Sequence, residues 1–176
     1  MEMMKAIAMR KSARSYKPEQ ISDESLKNII NAGCAAPVGR GMYDTVHLTV
    51  IQDSEILKKI SSTAANVFGT PSSDPLYGAP TFVLVSCIPN KQFPNIELAN
   101  AACVIENMAL AATDAGLGSV YILGALCAFS ADQTLIKELN LPEGFVPVSG
   151  IVLGYPTEPL THEKELKQII KTNVIK

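Results

Sequence analysis

From about Asn95 to Ala115 the chain carries one long run, NIELANAACVIENMALAATDA, with alanine at Ala99, Ala101, Ala102, Ala109, Ala111 and Ala112. It has no broad polar face, so it predicts a helix buried all round rather than an amphipathic surface helix. Small side chains at these positions let neighbouring backbone come close. Such a helix must lie inside a layered body, and this restricts the architecture to strands and helices packed around it. Gly116 is its expected C-cap, followed by Leu117 and Gly118.

The flanking segments supply the layers. Residues 2 to 9 (EMMKAIAM) predict a short helix, and Pro18 blocks continuation beyond it. Ser22 caps a second helix with acids in its first turn and Leu26, Ile29, Ile30 and Gly33 on its buried side. Residues 35 to 41 form a loop, and TVHLTVI from Thr45 to Ile51 reads as a strand. Asp53 caps a helix to about Asn66, and the Gly-, Pro- and Ser-rich residues 68 to 79 form a loop. Strands are expected over Pro80 to Cys87, Ser119 to Ile122 and Val146 to Tyr155, with helices over Ala131 to Leu139 and Glu163 to Ile170. No repeat or linker divides the chain. The expectation is one domain over residues 1–176, an α+β or three-layer α/β/α body with four or five strands around a long central helix.

Composition narrows the partners. The formal net charge is −2 and the pI about 5.7, which argues against nucleic acid or an anionic membrane surface. No apolar run approaches the ~20 residues that span a bilayer. Lys5, Arg10 and Lys11 interrupt any signal-peptide pattern, so a cytoplasmic location is expected. Cys34, Cys87, Cys103 and Cys127 are scattered without a CxxC pair or a neighbouring histidine. They read as small buried residues of a reducing compartment, not as metal ligands or a disulfide frame.

Against this acidic background, Arg10-Lys11-Ser12-Ala13-Arg14-Ser15 places three cations and two hydroxyls within six positions. That composition suits one dianionic group, a phosphate above all. By itself the cluster could equally be a solvated helix end.

In order along the chain, several motifs resemble the FMN-dependent nitroreductase family. Arg10, Lys11, Ser12 and Arg14 fall on the family's basic motif, and Ala36-Pro37-Val38-Gly39 on the start of its second loop. Ala79-Pro80-Thr81-Phe82-Val83 matches the start of a core strand. Ala101 to Ser119 matches the long helix and its G-L-G-S exit, and Leu153-Gly154-Tyr155-Pro156 matches the L-G-Y-P turn. The similarity covers nearly the whole chain. Two departures stand out: Gly41-Met42-Tyr43-Asp44-Thr45 replaces the N-x-Q-P-W part of the second loop, and the stretch between the first two strands is short.

The resemblance implies a mixed, largely antiparallel sheet and a homodimer with FMN at the subunit interface, each C-terminal tail reaching over the partner. It implies that Arg10 and Ser12 meet the phosphate and ribityl oxygens and that Arg14 meets the N1/O2 edge of the ring, where reduction leaves negative charge. Lys11 would be a further flavin contact. Pro37, Val38 and Gly39 belong to the loop that in the family overlies the partner's flavin. Leu123-Gly124-Ala125 would approach the ring near N5, and Lys164 falls near a basic phosphate ligand of relatives. No nucleophile or acid–base dyad is needed, because FMN would take hydride from NADH or NADPH and pass it to a nitroaromatic, quinone or similar small acceptor in a ping-pong cycle. Tyr43 and Phe68 are candidates either for the substrate side or for core or loop packing. A flavin-binding or flavin-storing member without nitroreductase turnover stays open at this point, because the altered Gly41–Thr45 loop bears on the second substrate.

Overall fold

All 176 residues are described by the structure, a computed structural model. Its sheet has four strands, β1 (Val46–Ile51), β2 (Thr81–Cys87), β3 (Gly118–Ile122) and β4 (Val146–Gly154). Their spatial order is β1-β2-β4-β3, and every neighbouring pair is antiparallel. The one parallel contact is an isolated bridge between Ser12 and Ser119.

Strand alternation builds the three layers. On β2, Phe82 and Leu84 join a cluster with Leu57 and Ile60 of α3 (Ser54–Val67), Phe129 of α5 (Cys127–Ala131) and Leu135 of α6 (Gln133–Glu138). Val83, Val85 and Cys87 point the other way, into a cluster with Ile29 of α2 (Asp23–Cys34) and Val104, Ile105 and Met108 of α4 (Ile96–Asp114). All seven residues of β2 are buried, as expected of a strand covered on both faces. A bulge where Val85 pairs with Ser149 but Ser86 with Pro147 leaves Val148 extra, and Val148 joins the α2/α4 side with Ile151 and Leu153. Pro147 sits at this irregularity, where a missing N–H is tolerated.

Local chemistry sets the helix ends as expected at two places. Ser22 accepts from the Ser25 N–H, and Asp53 accepts from the N–H groups of Glu55 and Ile56. Gly116, at φ +71°, follows the cap residue Ala115 and closes α4 with the Leu117 N–H bonded to Ala112.

Four expectations need correction. First, α4 is not buried all round: Leu98, Ala99, Ala102, Cys103 and Glu106, at helical spacing, share an exposed stripe that no element of this chain covers. Second, the helix expected over Ala131 to Leu139 is two short ones, because Asp132 is extended and caps α6 through the Thr134 N–H. Third, Glu163 to Ile170 forms no helix. The segment is exposed throughout, and so short a helix is unstable in water without a surface to pack on. Fourth, of the cysteines only Cys87 is buried, while Cys34 and Cys103 are exposed. No helix is long and apolar enough to cross a membrane.

Candidate functional site

After α1 (Met3–Met9), the basic cluster leaves the helix and runs as a strap along edge strand β3. Ser12 bridges to Ser119, the Ala13 N–H donates to the Ser119 carbonyl at 3.0 Å, and the Lys17 N–H donates to the Tyr155 carbonyl at 2.8 Å. The Thr157 N–H returns a bond to the Ser15 carbonyl. Tyr16 anchors the strap: its ring is buried and its hydroxyl donates to the Ala13 carbonyl at 2.8 Å.

Two glycines paired across β3 and β4 make room for that anchor. A Cβ on Gly118 would lie 2.9 Å from the Ala13 Cβ, and one on Gly154 would lie 2.9 Å from Tyr16 Cδ1. Burial pushes the Tyr16 phenol well above its ordinary range; Tyr77 adds to the effect and Arg14 opposes it. Arg14 and Tyr77 therefore lie within electrostatic reach of the Tyr16 phenol.

Lys11, Ser12, Arg14 and Ser15 line a cleft of about 370 Å³, closed on its far side by Pro156, Thr157 and Glu158. Neither Lys11 nor Arg14 has a carboxylate within ion-pairing distance, so two unneutralised cations face the same open space. Arg10 differs, its Nε lying 3.5 Å from a carboxylate oxygen of Glu106 on α4. Lys164 comes close to this end through its backbone: its N–H donates to the Ala8 carbonyl at 2.9 Å, and Lys5 meets Glu163 beside it.

A second cavity of about 290 Å³ lies at the C-terminal end of β3. It begins at Tyr121, two residues and about 7 Å beyond Ser119. It is lined by Leu123, Gly124 and Ala125 together with Phe68, Ser73, Asp74 and Tyr77. Phe68 shares this cavity with the turn, whereas Tyr43 donates to the Ala36 carbonyl. Sequence reasoning passed over Tyr77 and Asp74. Their signal is a positive φ and a clamp of hydrogen bonds, and neither is visible in residue type.

Pro37, Val38 and Gly39 line neither hollow of their own chain. Val38 is buried, and the Gly39 N–H is taken by the Asn100 side chain at 2.9 Å. Gly39 lies so close to α4 that a Cβ there would stand 2.5 Å from Ile96 Cδ1. Only Pro37 leaves its side chain exposed, on the outside of the molecule.

The sequence pattern of the nitroreductase family matches residues 7–155, most of the strap, the sheet and α4. The chain belongs to the nitroreductase family. An Archaeoglobus fulgidus protein assigned as an NADH dehydrogenase/NAD(P)H nitroreductase is 34% identical over 159 residues, covering 89% of this chain and 87% of the relative. The Bacillus subtilis FMN reductase [NAD(P)H] is 31% identical, covering 95% of this chain and 71% of that protein. Among solved structures, a Bacteroides fragilis nitroreductase with bound FMN superposes at a TM-score of 0.84, with 28% identity and 99% of this chain covered and 100% of that one.

This chain's own site fits FMN on two counts. Lys11 and Arg14 are cations without partners beside a cleft, and Gly124 offers bare backbone to a flat ring.

Proposed function

We propose that this nitroreductase-family protein is an FMN-dependent NAD(P)H oxidoreductase that reduces nitroaromatic, quinone or similar electron-poor acceptors by ping-pong hydride transfer, and that it works as a cytoplasmic homodimer. FMN, when bound, supplies the hydride chemistry. The carrying observation is the pair of unneutralised cations, Lys11 and Arg14, on a strap fixed to β3 next to the Leu123–Ala125 turn.

Each residue's task follows from its position. Ser12 and Lys11 offer donors to phosphate and ribityl oxygens, while Arg10 exchanges its long contact with exposed Glu106 for a phosphate. Lys164 adds charge at the same end. Arg14 stands beside the ring edge and stabilises the negative charge that reduction leaves there. Gly124 and its neighbours admit the ring against backbone, with Phe68 packed beside Gly124. No side chain is assigned a proton, which reaches the open site from solvent.

Three features support the dimer. Apart from Glu106, the exposed stripe on α4 is apolar and mostly small, suited to close helix packing. Ile169, Ile170, Val174 and Ile175 are all more than 70% exposed on a tail with nothing of its own chain to cover. The Pro37–Gly39 loop lines neither hollow of its own chain, which suits a role at the partner's site. We infer that this loop and the tail complete the partner's flavin site.

Anaerobic addition of NADH or NADPH to FMN-loaded protein tests the function: the yellow absorbance should bleach and return with a quinone or nitroaromatic. A loaded protein that pyridine nucleotides leave yellow would be a flavin-binding protein without this turnover. A protein that takes up no FMN would overturn the reading altogether.

A further inference from the structure

We propose that Tyr77, held in place by Asp74, is a flavin-contacting residue whose hydroxyl donates a hydrogen bond to the polar edge of the bound ring and favours its reduced form. The inference rests on the FMN reading above and adds to it a residue that no family motif pointed to.

The backbone gives the first indication. Tyr77 sits at φ +60°, a left-handed conformation that bulky aromatic residues seldom adopt. Such strain persists only where the surroundings impose it, and it concentrates at functional sites. Here Asp74 imposes it. Its carboxylate accepts from the Leu76 N–H at 2.9 Å, the Gly78 N–H at 2.6 Å and the Ser61 hydroxyl at 2.5 Å. Its carbonyl accepts from the Tyr77 N–H at 2.9 Å. Four bonds to one residue therefore fix a turn that needs none of them for the sheet or the core.

The ring's placement gives the second indication. Tyr77 is half-buried and its apolar part packs against the α3/α5 core cluster, so the side chain is not free to swing. It lines the 290 Å³ cavity together with Gly124 and Ala125. The Tyr16 hydroxyl is spent on the Ala13 carbonyl, whereas the Tyr77 hydroxyl has no protein partner. A solvent-accessible donor beside a cavity, on a side chain held by packing, is free to bond a group that enters the cavity.

The chemistry follows from the donor. A phenol hydroxyl donates to a neutral acceptor, and more strongly to an anionic one. Reduction puts negative charge on the ring's polar edge, so the Tyr77 bond strengthens in the reduced state. Tyr77 then holds reduced FMN more tightly than oxidised FMN, beside the permanent charge of Arg14.

The test compares Tyr77→Phe with the wild-type protein, each loaded with FMN. The readouts are the dissociation constant of oxidised FMN and the two-electron midpoint potential. Y77F should fold normally and keep oxidised FMN within about threefold. It should lose about tenfold in preference for the reduced form, read as a midpoint about 30 mV lower at 29.6 mV per decade. An unchanged midpoint in loaded Y77F overturns the proposal while leaving the FMN reading intact; a wild-type protein that binds no FMN overturns both. Asp74→Ala keeps the phenol but removes the clamp, and it carries the test if Y77F does not fold. Its midpoint should fall in the same direction, and an unchanged midpoint in loaded D74A overturns the proposal as well.

Discussion

Replacing Gly124 with alanine separates what the fold requires from what the site requires. Gly124 is not among the residues with positive φ, so an alanine there adopts the same backbone without strain. Its new Cβ would meet only the Phe68 ring, 3.2 Å from Cζ and 3.6 Å from Cε2. Phe68 is 51% exposed and can retreat by the few tenths of an ångström required. Glycine-to-alanine changes at compatible positions stabilise by about 0.4–1 kcal/mol through the unfolded chain. G124A should therefore be as stable as the parent or slightly more so. On the other side of the same atom stands the cavity. A methyl inserted where a flat ring lies against bare backbone is an overpacking error of about 1–3 kcal/mol. At about 1.4 kcal/mol per decade this weakens FMN binding roughly 5- to 150-fold. Urea unfolding of the apoprotein and FMN titration followed by flavin fluorescence read the two quantities separately. Unchanged FMN affinity in G124A would remove the turn from the flavin site. A loss of stability would refute the packing argument.

Arg14→Ala should leave the fold intact and weaken FMN binding. Losing one bond to a charged acceptor, worth about 1.5–3 kcal/mol, should lower the two-electron potential by roughly 30–60 mV; an unaltered potential would refute its place at the ring edge. Deleting residues 171–176 should lower dimer stability and flavin retention together, and unchanged sedimentation and flavin content would sink the role of the tail. Cys103 lies on the exposed α4 stripe and Cys34 elsewhere. Thiol labelling at rising protein concentration should protect Cys103, and equal labelling at every concentration would count against α4 as the contact. Alkaline unfolding tests the strap. Tyr16 stays protonated in the fold above its ordinary value of 10.0, so its contribution is present below about pH 10 and lost as pH rises beyond it. Tyr16→Phe should flatten that part of the fall. The part due to Cys87, a thiol raised from 9.0 to about 11 by burial and by Glu97, should persist between those values.

Elements set by local chemistry were legible residue by residue. Ser22 and Asp53 satisfy the orphan N–H groups of their own helices, and Gly116 takes the left-handed turn its missing Cβ allows. The basic cluster was legible as an anion holder because its charges are adjacent in sequence. What it is attached to was not. The strap is fixed by bonds from Ala13 to Ser119 and from Lys17 to Tyr155, partners more than a hundred residues away. The break at Asp132 was missed although it is local, because the apolar period runs through it and only the Asp132–Thr134 bond reveals the second cap.

The misreading at α4 and the exposure of the tail share one physical origin. A pattern of small and apolar residues states that a surface will be covered, but it does not state by which chain. Ala99, Ala102 and Cys103 carry the same composition as Ala101, Ala109 and Ala112, yet the first three face outward and the others lie in the core. Ile169 to Ile175 likewise has the side chains of a packed segment and no surface of this chain to pack on. Exposed apolar area of this kind is costly in water, at about 25 cal/mol per Å². One event, association of two copies, would bury the α4 stripe, the tail and the exposed Pro37 together. For that reason loss of the tail should be felt at the flavin and not only at the interface.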